Sequence, residues 1–349
     1  MAHAELRQHP QNQPVTSSTQ DLPIADTQRK FAQAYRMIAT NQLDKHLWLK
    51  YRGLGIGASD AAAACGLNPF KSQLELWMEK TGRIEPSQPS DNEDSPLLWG
   101  TVLEPIVAEH YAKRTGSKVR RVNAILQHAD YPWMLANLDR EVQGGEVPLL
   151  ECKTTGAYGA KHWSEGVPEY VQLQVQHQLA VTGFEAADVA VLIAGQELQI
   201  HRIERDEDLI SNLIALEQAF WHRVTEDIPP PADASASSER ALRQLYPQNT
   251  SQTLNLTENK SANTQFEELL YVREQLAILS DKEALLKHQL QQTLGDAEQA
   301  QFESGRISWK CSKPSTAFDS KAFKEDHPDL YAEYQIPKMG SRRFLVKPD

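Results

Sequence analysis

The chain has 349 residues, a formal net charge of -11 and three cysteines, Cys65, Cys152 and Cys311, none near another. That length supports one large domain plus a smaller one without covalent staples, while the scattered cysteines exclude a disulfide framework, a C-x-x-C metal knuckle and a four-cysteine iron-sulfur cluster. The acidic balance argues against broad charge-driven binding of nucleic acid, and no apolar run reaches spanning length or resembles a signal peptide, so a soluble protein of a reducing cytoplasm is expected.

Residues 1–27 are polar and rich in Gln, Ser, Thr and Pro, too poor in apolar side chains to pack, and are expected as a disordered tail. From Thr27 to Asn41, Phe31, Tyr35, Met37 and Ile38 predict a weakly amphipathic helix, so a domain over 28–228 opens here. Arg52-Gly53-Leu54-Gly55-Ile56-Gly57-Ala58-Ser59-Asp60, running into Ala61–Ala64, predicts a glycine loop delivered to a helix start, with Ser59 or Asp60 as the N-cap. Amides at such a start, beside Arg52 and the Ser59 hydroxyl, suit a phosphate; a plain capping serine suits the same pattern. No G-K-[ST] follows and the spacing is not G-x-G-x-x-G, which excludes the common nucleotide loops. A turn over 66–70 leads to a helix from Ser72 to Lys80 closed by Gly82. Residues 85–96 predict an acidic surface loop, and a helix follows from about Leu97 to Arg114. Glu104 on that helix suits either its dipole or a third acidic position in a metal site. Lys113, Arg114, Lys118, Arg120 and Arg121 then concentrate positive charge within nine residues.

Residues 118–127 alternate as a strand, and Tyr131–Ala136 leads into Asp139. Gly144-Gly145 predicts a turn that folds this run back on Leu149-Leu150-Glu151-Cys152-Lys153 as a hairpin. Alternation sends Leu150 and Cys152 to the core and Glu151 and Lys153 to one side, with Asp139 opposite Glu151. Two converging carboxylates make a hard-oxygen site for magnesium, and a lysine beside them can orient or deprotonate a water, which suits phosphodiester hydrolysis. An alternating surface hairpin with a salt bridge gives the same pattern. Pro168 opens a helix to about Val181, ended by Gly183, that carries Gln172, Gln174, Gln176, His177 and Gln178. Buried amides need partners, and Gln174 is placed to reach a metal ligand, a metal-bound water or a DNA phosphate, while His177 reads as an ordinary satisfied histidine. Strands over Ala187–Ile193 and Leu198–Ile203 and a helix from Glu207 to about Thr225 complete the domain. Residues 229–263 predict a linker, and 264–349 an accessory α+β module with a long helix, a strand over Arg306–Lys310 and a helix near Ser320 to Tyr334.

The glycine loop with Arg52 and Ser59, the Gly100–Pro105 segment with Glu104, Leu138-Asp139, Glu151-Cys152-Lys153, and Gln174 followed by Val175–Gly183 come in one order. That ordered set, over roughly residues 45–228, resembles the YqaJ-type viral recombinase (lambda exonuclease) family of the PD-(D/E)xK nuclease superfamily. The resemblance implies an α/β fold, a restriction-endonuclease-like core with helices flanking a central mixed β-sheet. It implies a metal-dependent 5′–3′ exonuclease that digests linear double-stranded DNA and leaves 3′ single strands for an annealing recombination protein. Carried over position by position, Asp139 and Glu151 would bind Mg2+, or Mn2+ in its place, with the Cys152 backbone carbonyl as a further ligand. Lys153 would position the attacking water, Glu104 and Gln174 would support metals and nucleophile, and Arg52 and Ser59 would hold the 5′ phosphate. A ring-like trimer and a phage or prophage origin in a bacterial cytoplasm are further implications. Arg140 departs from the pattern, standing where small residues are common. Rival readings are an endonuclease or helicase-linked nuclease of the same superfamily, and a non-catalytic DNA-binding or assembly protein with a vestigial site.

Overall fold

The computed structural model describes residues 30–41, 43–86, 95–338 and 340–348. The tail expected over 1–27 and most of the loop expected over 85–96 lie outside the described residues. The chain divides into two units after Tyr246.

The first unit opens with β1 (Lys30–Phe31) and β2 (Ala34–Ala39). These strands replace the helix expected over 27–41. β2 pairs antiparallel with β5 (Ala124–Gln127), with a bulge between Arg36 and Ile38. The ladder formed with a strand far along the chain, and burial of Phe31 and Ala34 in the main core, override a weak helical period. Between these strands come α1 (Lys45–Gly53), β3 (Ile56–Gly57), a 3-10 turn over Ala58–Asp60, α2 (Ala61–Ala64), α3 (Gln73–Lys80), α4 (Pro96–Thr115) and β4 (Lys118–Arg120). Asp44 caps α1 and Ser72 caps α3, each accepting from the backbone amide three residues on. α4 starts with Pro96 in its first turn and ends where Gly116 takes the left-handed conformation, φ 72°. The chain continues through β6 (Met134–Ala136), β7 (Arg140–Gln143), β8 (Leu149–Thr155), α5 (Glu169–Thr182), β9 (Ala186–Ile193), β10 (Glu197–Glu204), α6 (Glu207–Thr225) and α7 (Ala236–Leu245).

Two sheets result, in the orders β1-β2-β5-β6-β3 and β10-β9-β8-β7-β4. The single strand expected over 118–127 is thus two, one in each sheet. In the second sheet β8 pairs antiparallel with β7 and parallel with β9, so the sheet is mixed. The parallel pair is joined by α5 as its crossover helix. Helices cover both faces of β8. On one face Leu150 and Cys152 share a core with Val107, Ala108 and Tyr111 of α4; on the other Leu149 shares the main core with Val175 and Leu179 of α5. A mixed sheet with α4 and α5 on opposite faces is the α/β core expected of a PD-(D/E)xK nuclease. Burial on both faces explains why Leu149-Leu150 reads as a continuous apolar run rather than a strict alternation.

The linker expected over 229–263 contains α7. Ala241 and Leu245 pack on Leu74, Leu76 and Trp77 of α3, and Ser72 N donates to Ser237 Oγ at 2.8 Å. Ser237, Ser238 and Ala241 are the buried residues of this helix, so its inward face is made mostly of small side chains inside a polar segment. The second unit holds α8 (Lys260–Leu294), a hairpin of β11 (Gln299–Phe302) and β12 (Gly305–Ser308), α9 (Ser320–Asp326) and α10 (Pro328–Glu333). The single helix expected over 320–334 breaks at His327, because the residue before Pro328 is driven out of the helical region. Among the described residues no helix is long and apolar enough to cross a membrane.

Candidate active site

The β7–β8 hairpin places the acidic pair. Gly144 sits at φ 72° in its turn, and Val142 N donates to Pro148 O at 2.8 Å. Arg140 lies opposite Leu150 and Glu141 opposite Leu149. The same register brings Asp139, just before β7, opposite Glu151. Asp139 is tied across the hairpin, its Oδ2 accepting from Cys152 N at 2.8 Å.

Glu151 is buried, 3% exposed, and both its oxygens are held. Lys153 Nζ donates to Oε1 at 2.7 Å and Gln174 Nε2 to the same oxygen at 2.6 Å, while Gln178 Nε2 donates to Oε2 at 2.8 Å. Gln174 closes the triangle by accepting from Lys153 at 2.9 Å. Gln174 and Gln178 are four residues apart on α5 and therefore on one face, directed at β8. The hairpin and the glutamine-rich helix thus meet at one carboxylate. The other amides of α5 serve packing. Gln176 donates to Glu204 O and accepts from Asp206 N, binding α5 to the start of α6. His177 is fully buried between Glu217, at 2.8 Å, and Leu135 O, at 3.0 Å, the satisfied histidine that was expected.

The charges at this site are unbalanced. Burial pushes the Asp139 carboxyl up to about 8, with the nearby Glu151 charge adding to it and Lys153 opposing. Lys153 is held above its ordinary value: burial works against its charge, but Glu151 and Asp139 outweigh that. Two facing carboxylates, Glu151 buried and Asp139 partly so, therefore call for more positive charge than one lysine supplies. Among the described residues no group of three or more His, Cys, Asp and Glu side chains gathers as a metal cage. A two-carboxylate site nonetheless fits magnesium, which takes one or two carboxylates and completes its shell with water and substrate phosphate.

Glu104 is the ninth residue of α4, beyond the first turn, so the helix dipole does not account for it. Arg140 does. Its Nη1 donates to Glu104 Oε1 at 2.5 Å and to Asp139 O at 2.6 Å, and the side chain is buried. The residue that departs from the family pattern is the bridge between Glu104 and the Asp139 backbone. Sequence reasoning also passed over Gln178, whose position one helical turn beyond Gln174 is the signal that finds it. Gln178 Oε1 is buried with no partner among the described residues.

Arg52 and Ser59 form a second cluster. The loop does run into a helix start, with Asp60 at the N-cap position of α2, but α2 has only four residues and neither Ser59 nor Asp60 makes a side-chain capping bond. Ser59 Oγ instead accepts from Arg52 Nη2 at 2.8 Å, and the guanidinium lies over the Trp48 ring, 4.9 Å from its centroid. Arg52 Nε is buried without an acceptor among the described residues, while the rest of the guanidinium stays partly open to solvent. The Ala58–Asp60 turn and α2 pack against α5, with Ala61 and Ala62 on Leu173. Both clusters therefore border one helix.

Residues 47–185 match the family model of the YqaJ-like viral recombinase domain. The chain is 36% identical over 313 residues to the uncharacterized protein YqaJ of Bacillus subtilis (strain 168), covering 88% of this chain and 95% of that protein. In structure it is similar to an alkaline exonuclease (LHK-Exo) from Laribacter hongkongensis, with 22% identity and a TM-score of 0.44 over 53% of this chain and 94% of the other. It is similar also to a phage related exonuclease from Haemophilus somnus 129PT, with 10% identity and a TM-score of 0.37 over 52% of this chain and 99% of the other. The matched segment contains Arg52, Ser59, Glu104, Asp139, Glu151, Lys153, Gln174 and Gln178, and the Bacillus relative extends the correspondence over most of both chains: this protein belongs to the YqaJ-like viral recombinase family.

Proposed function

We propose that the protein is a metal-dependent deoxyribonuclease, a 5′–3′ exonuclease that digests linear double-stranded DNA and leaves 3′ single strands for an annealing recombination protein. The observation that carries this reading is Glu151, gripped by Lys153, Gln174 and Gln178 and facing an Asp139 that burial leaves in need of a cation. Asp139 and Glu151, with the Cys152 carbonyl, would hold Mg2+ or Mn2+, and the ion would supply Lewis-acid activation of water and charge neutralisation at the phosphate. The remaining steps belong to the chain. Lys153, kept protonated by its two carboxylates, orients the attacking water and stabilises negative charge developing on the phosphate rather than removing a proton. Gln174 fixes Lys153 and Glu151 in one geometry, and Gln178 fixes the second oxygen of Glu151. Arg140 balances Glu104 and steadies the backbone that presents Asp139. Arg52 and Ser59 hold the terminal 5′ phosphate, which gives digestion its polarity and its preference for ends. A ring of subunits around the duplex would suit repeated cutting along one strand.

The test follows linear duplex DNA labelled at one end, carrying a 5′ phosphate or a 5′ hydroxyl, in Mg2+ and in EDTA, beside closed circular DNA. Loss of the linear substrate that requires metal, favours the phosphorylated end and spares circles is the expected result. Cutting of circles would make the protein an endonuclease. Binding without loss in any divalent metal would make it a DNA-binding protein and would overturn the proposal.

A further inference from the structure

The Arg52 cluster contains two charged residues that the proposed function leaves without a role. Asp60 Oδ2 accepts from Arg52 Nη2 at 3.2 Å and from Lys80 Nζ at 2.9 Å. The same Lys80 Nζ donates to the Arg52 backbone carbonyl at 3.0 Å. Lys80 therefore grips Arg52 twice, directly at its backbone and through Asp60 at its guanidinium. Its side chain is only 6% exposed and Asp60 is buried, whereas Arg52 remains partly open to solvent. A buried lysine and aspartate would ordinarily be costly, and here they are arranged around a third residue that reaches the surface.

The grip determines which atoms Arg52 can offer. Nη2 is consumed by Ser59 and Asp60. Nε is left buried and unpartnered. Gly57 provides the room: a Cβ there would lie 2.8 Å from Nη2, 3.3 Å from Nε and 3.4 Å from Asp60 Oδ2. Beside this cluster Lys71 pairs with Glu79 at 2.7 Å, so three cations face two carboxylates and one positive charge is uncompensated. A fixed guanidinium whose side chain stays 22% open to solvent, in net positive surroundings, favours a doubly charged terminal phosphate over the singly charged diesters inside a strand.

We propose that Asp60 and Lys80 are positioning residues that lock Arg52 as a receptor for a terminal phosphate monoester and so set the preference for 5′-phosphorylated over 5′-hydroxyl ends. This inference rests on the end-directed reading of the Arg52 and Ser59 cluster above. Lys80 and Asp60 do not touch DNA; they act through Arg52. Their burial and separation along the chain hid them from the sequence reading, which placed Lys80 only as the end of a helix.

The test uses the full chain and compares the wild type with Lys80→Met, Lys80→Arg, Asp60→Asn and Gly57→Ala. Two readouts are taken for duplexes that differ only at the 5′ end: kcat and KM in Mg2+, and Kd by fluorescence anisotropy in EDTA. Loss of one charge-assisted restraint is expected to cut the preference for the phosphorylated end about tenfold. The loss should appear in KM and Kd for that end rather than in kcat, with Lys80→Arg recovering most of it. Gly57→Ala, outside the ion network, should reproduce the loss by displacing the guanidinium. The proposal is overturned if Lys80→Met and Asp60→Asn keep the wild-type ratio, or if both ends weaken in parallel with the thermal midpoint, as a purely structural pair would cause. Because Kd is read without metal, a wild type that binds phosphorylated ends more tightly yet cuts nothing would refute the nuclease reading and leave this one standing. A wild type that cuts DNA without distinguishing the two ends would do the reverse.

Discussion

Replacing Asp139 with Asn separates the cost of the site from its purpose. In the folded protein Asp139 keeps its proton up to about 8, whereas the ordinary value for the side chain is 3.8. Between those two values the folded state binds more protons than the unfolded state, so metal-free stability falls as pH rises from about 4 to about 8. At about 1.4 kcal/mol per pH unit the whole interval corresponds to a ceiling of roughly 6 kcal/mol. Asn has no proton to lose and still offers an oxygen to Cys152 N. Asp139→Asn in EDTA should therefore match the wild type near pH 5 and exceed it near pH 8.5 by about 2 kcal/mol or more. Urea denaturation at a series of pH values reads this directly. Magnesium should stabilise the wild type and not the variant, and its affinity for the wild type should rise with pH up to about 8, since the ion must displace the Asp139 proton. A difference between the two proteins that is flat with pH, or a variant less stable at pH 8.5, would refute the account of Asp139 as a carboxylate built to be neutralised.

Lys153→Ala should bind duplex ends with near wild-type affinity and cut them at least about a hundredfold more slowly, checked by anisotropy and single-turnover cleavage; near-normal turnover would remove Lys153 from the mechanism. Gln178→Leu frees Glu151 Oε2 and should weaken the Mg2+ dependence of cleavage about tenfold while leaving DNA binding in EDTA unchanged. His177→Ala leaves Glu217 buried without its partner and should cost about 3 kcal/mol in urea denaturation; a loss below about 1 kcal/mol would mean that the pair is neutral.

The hairpin of the candidate site was legible because its signals are local. Two glycines, alternation and a short separation place Asp139 opposite Glu151 without knowledge of the rest of the fold. α5 and α6 were equally plain: Pro168 and Gly183 bracket the first, and the second runs over Glu207–Thr225 as expected. What escaped depends on partners distant in sequence. β2 pairs with β5, far along the chain, as well as with β1, and α7 is a helix whose buried Ser237, Ser238 and Ala241 face α3. The same holds at the site. Arg140 looked like a departure until Glu104, 36 residues away, supplied its partner. Gln178 stood among other amides until Glu151, 27 residues away, distinguished it. The sequence recorded the chemistry of each side chain but not the geometry that selects among several glutamines or arginines.

α5 has a consequence beyond holding Glu151. Leu173 packs on Ala61 and Ala62, just beyond the turn that carries Ser59, and the next residue, Gln174, reaches the Glu151 carboxylate together with Gln178. On the proposed reading, the place where a strand end is anchored and the place where its backbone is cut are both seated on one packed helix rather than on separate loops. A substitution that shifts this one helix would therefore disturb the hold on the strand end and the hold on the carboxylate together.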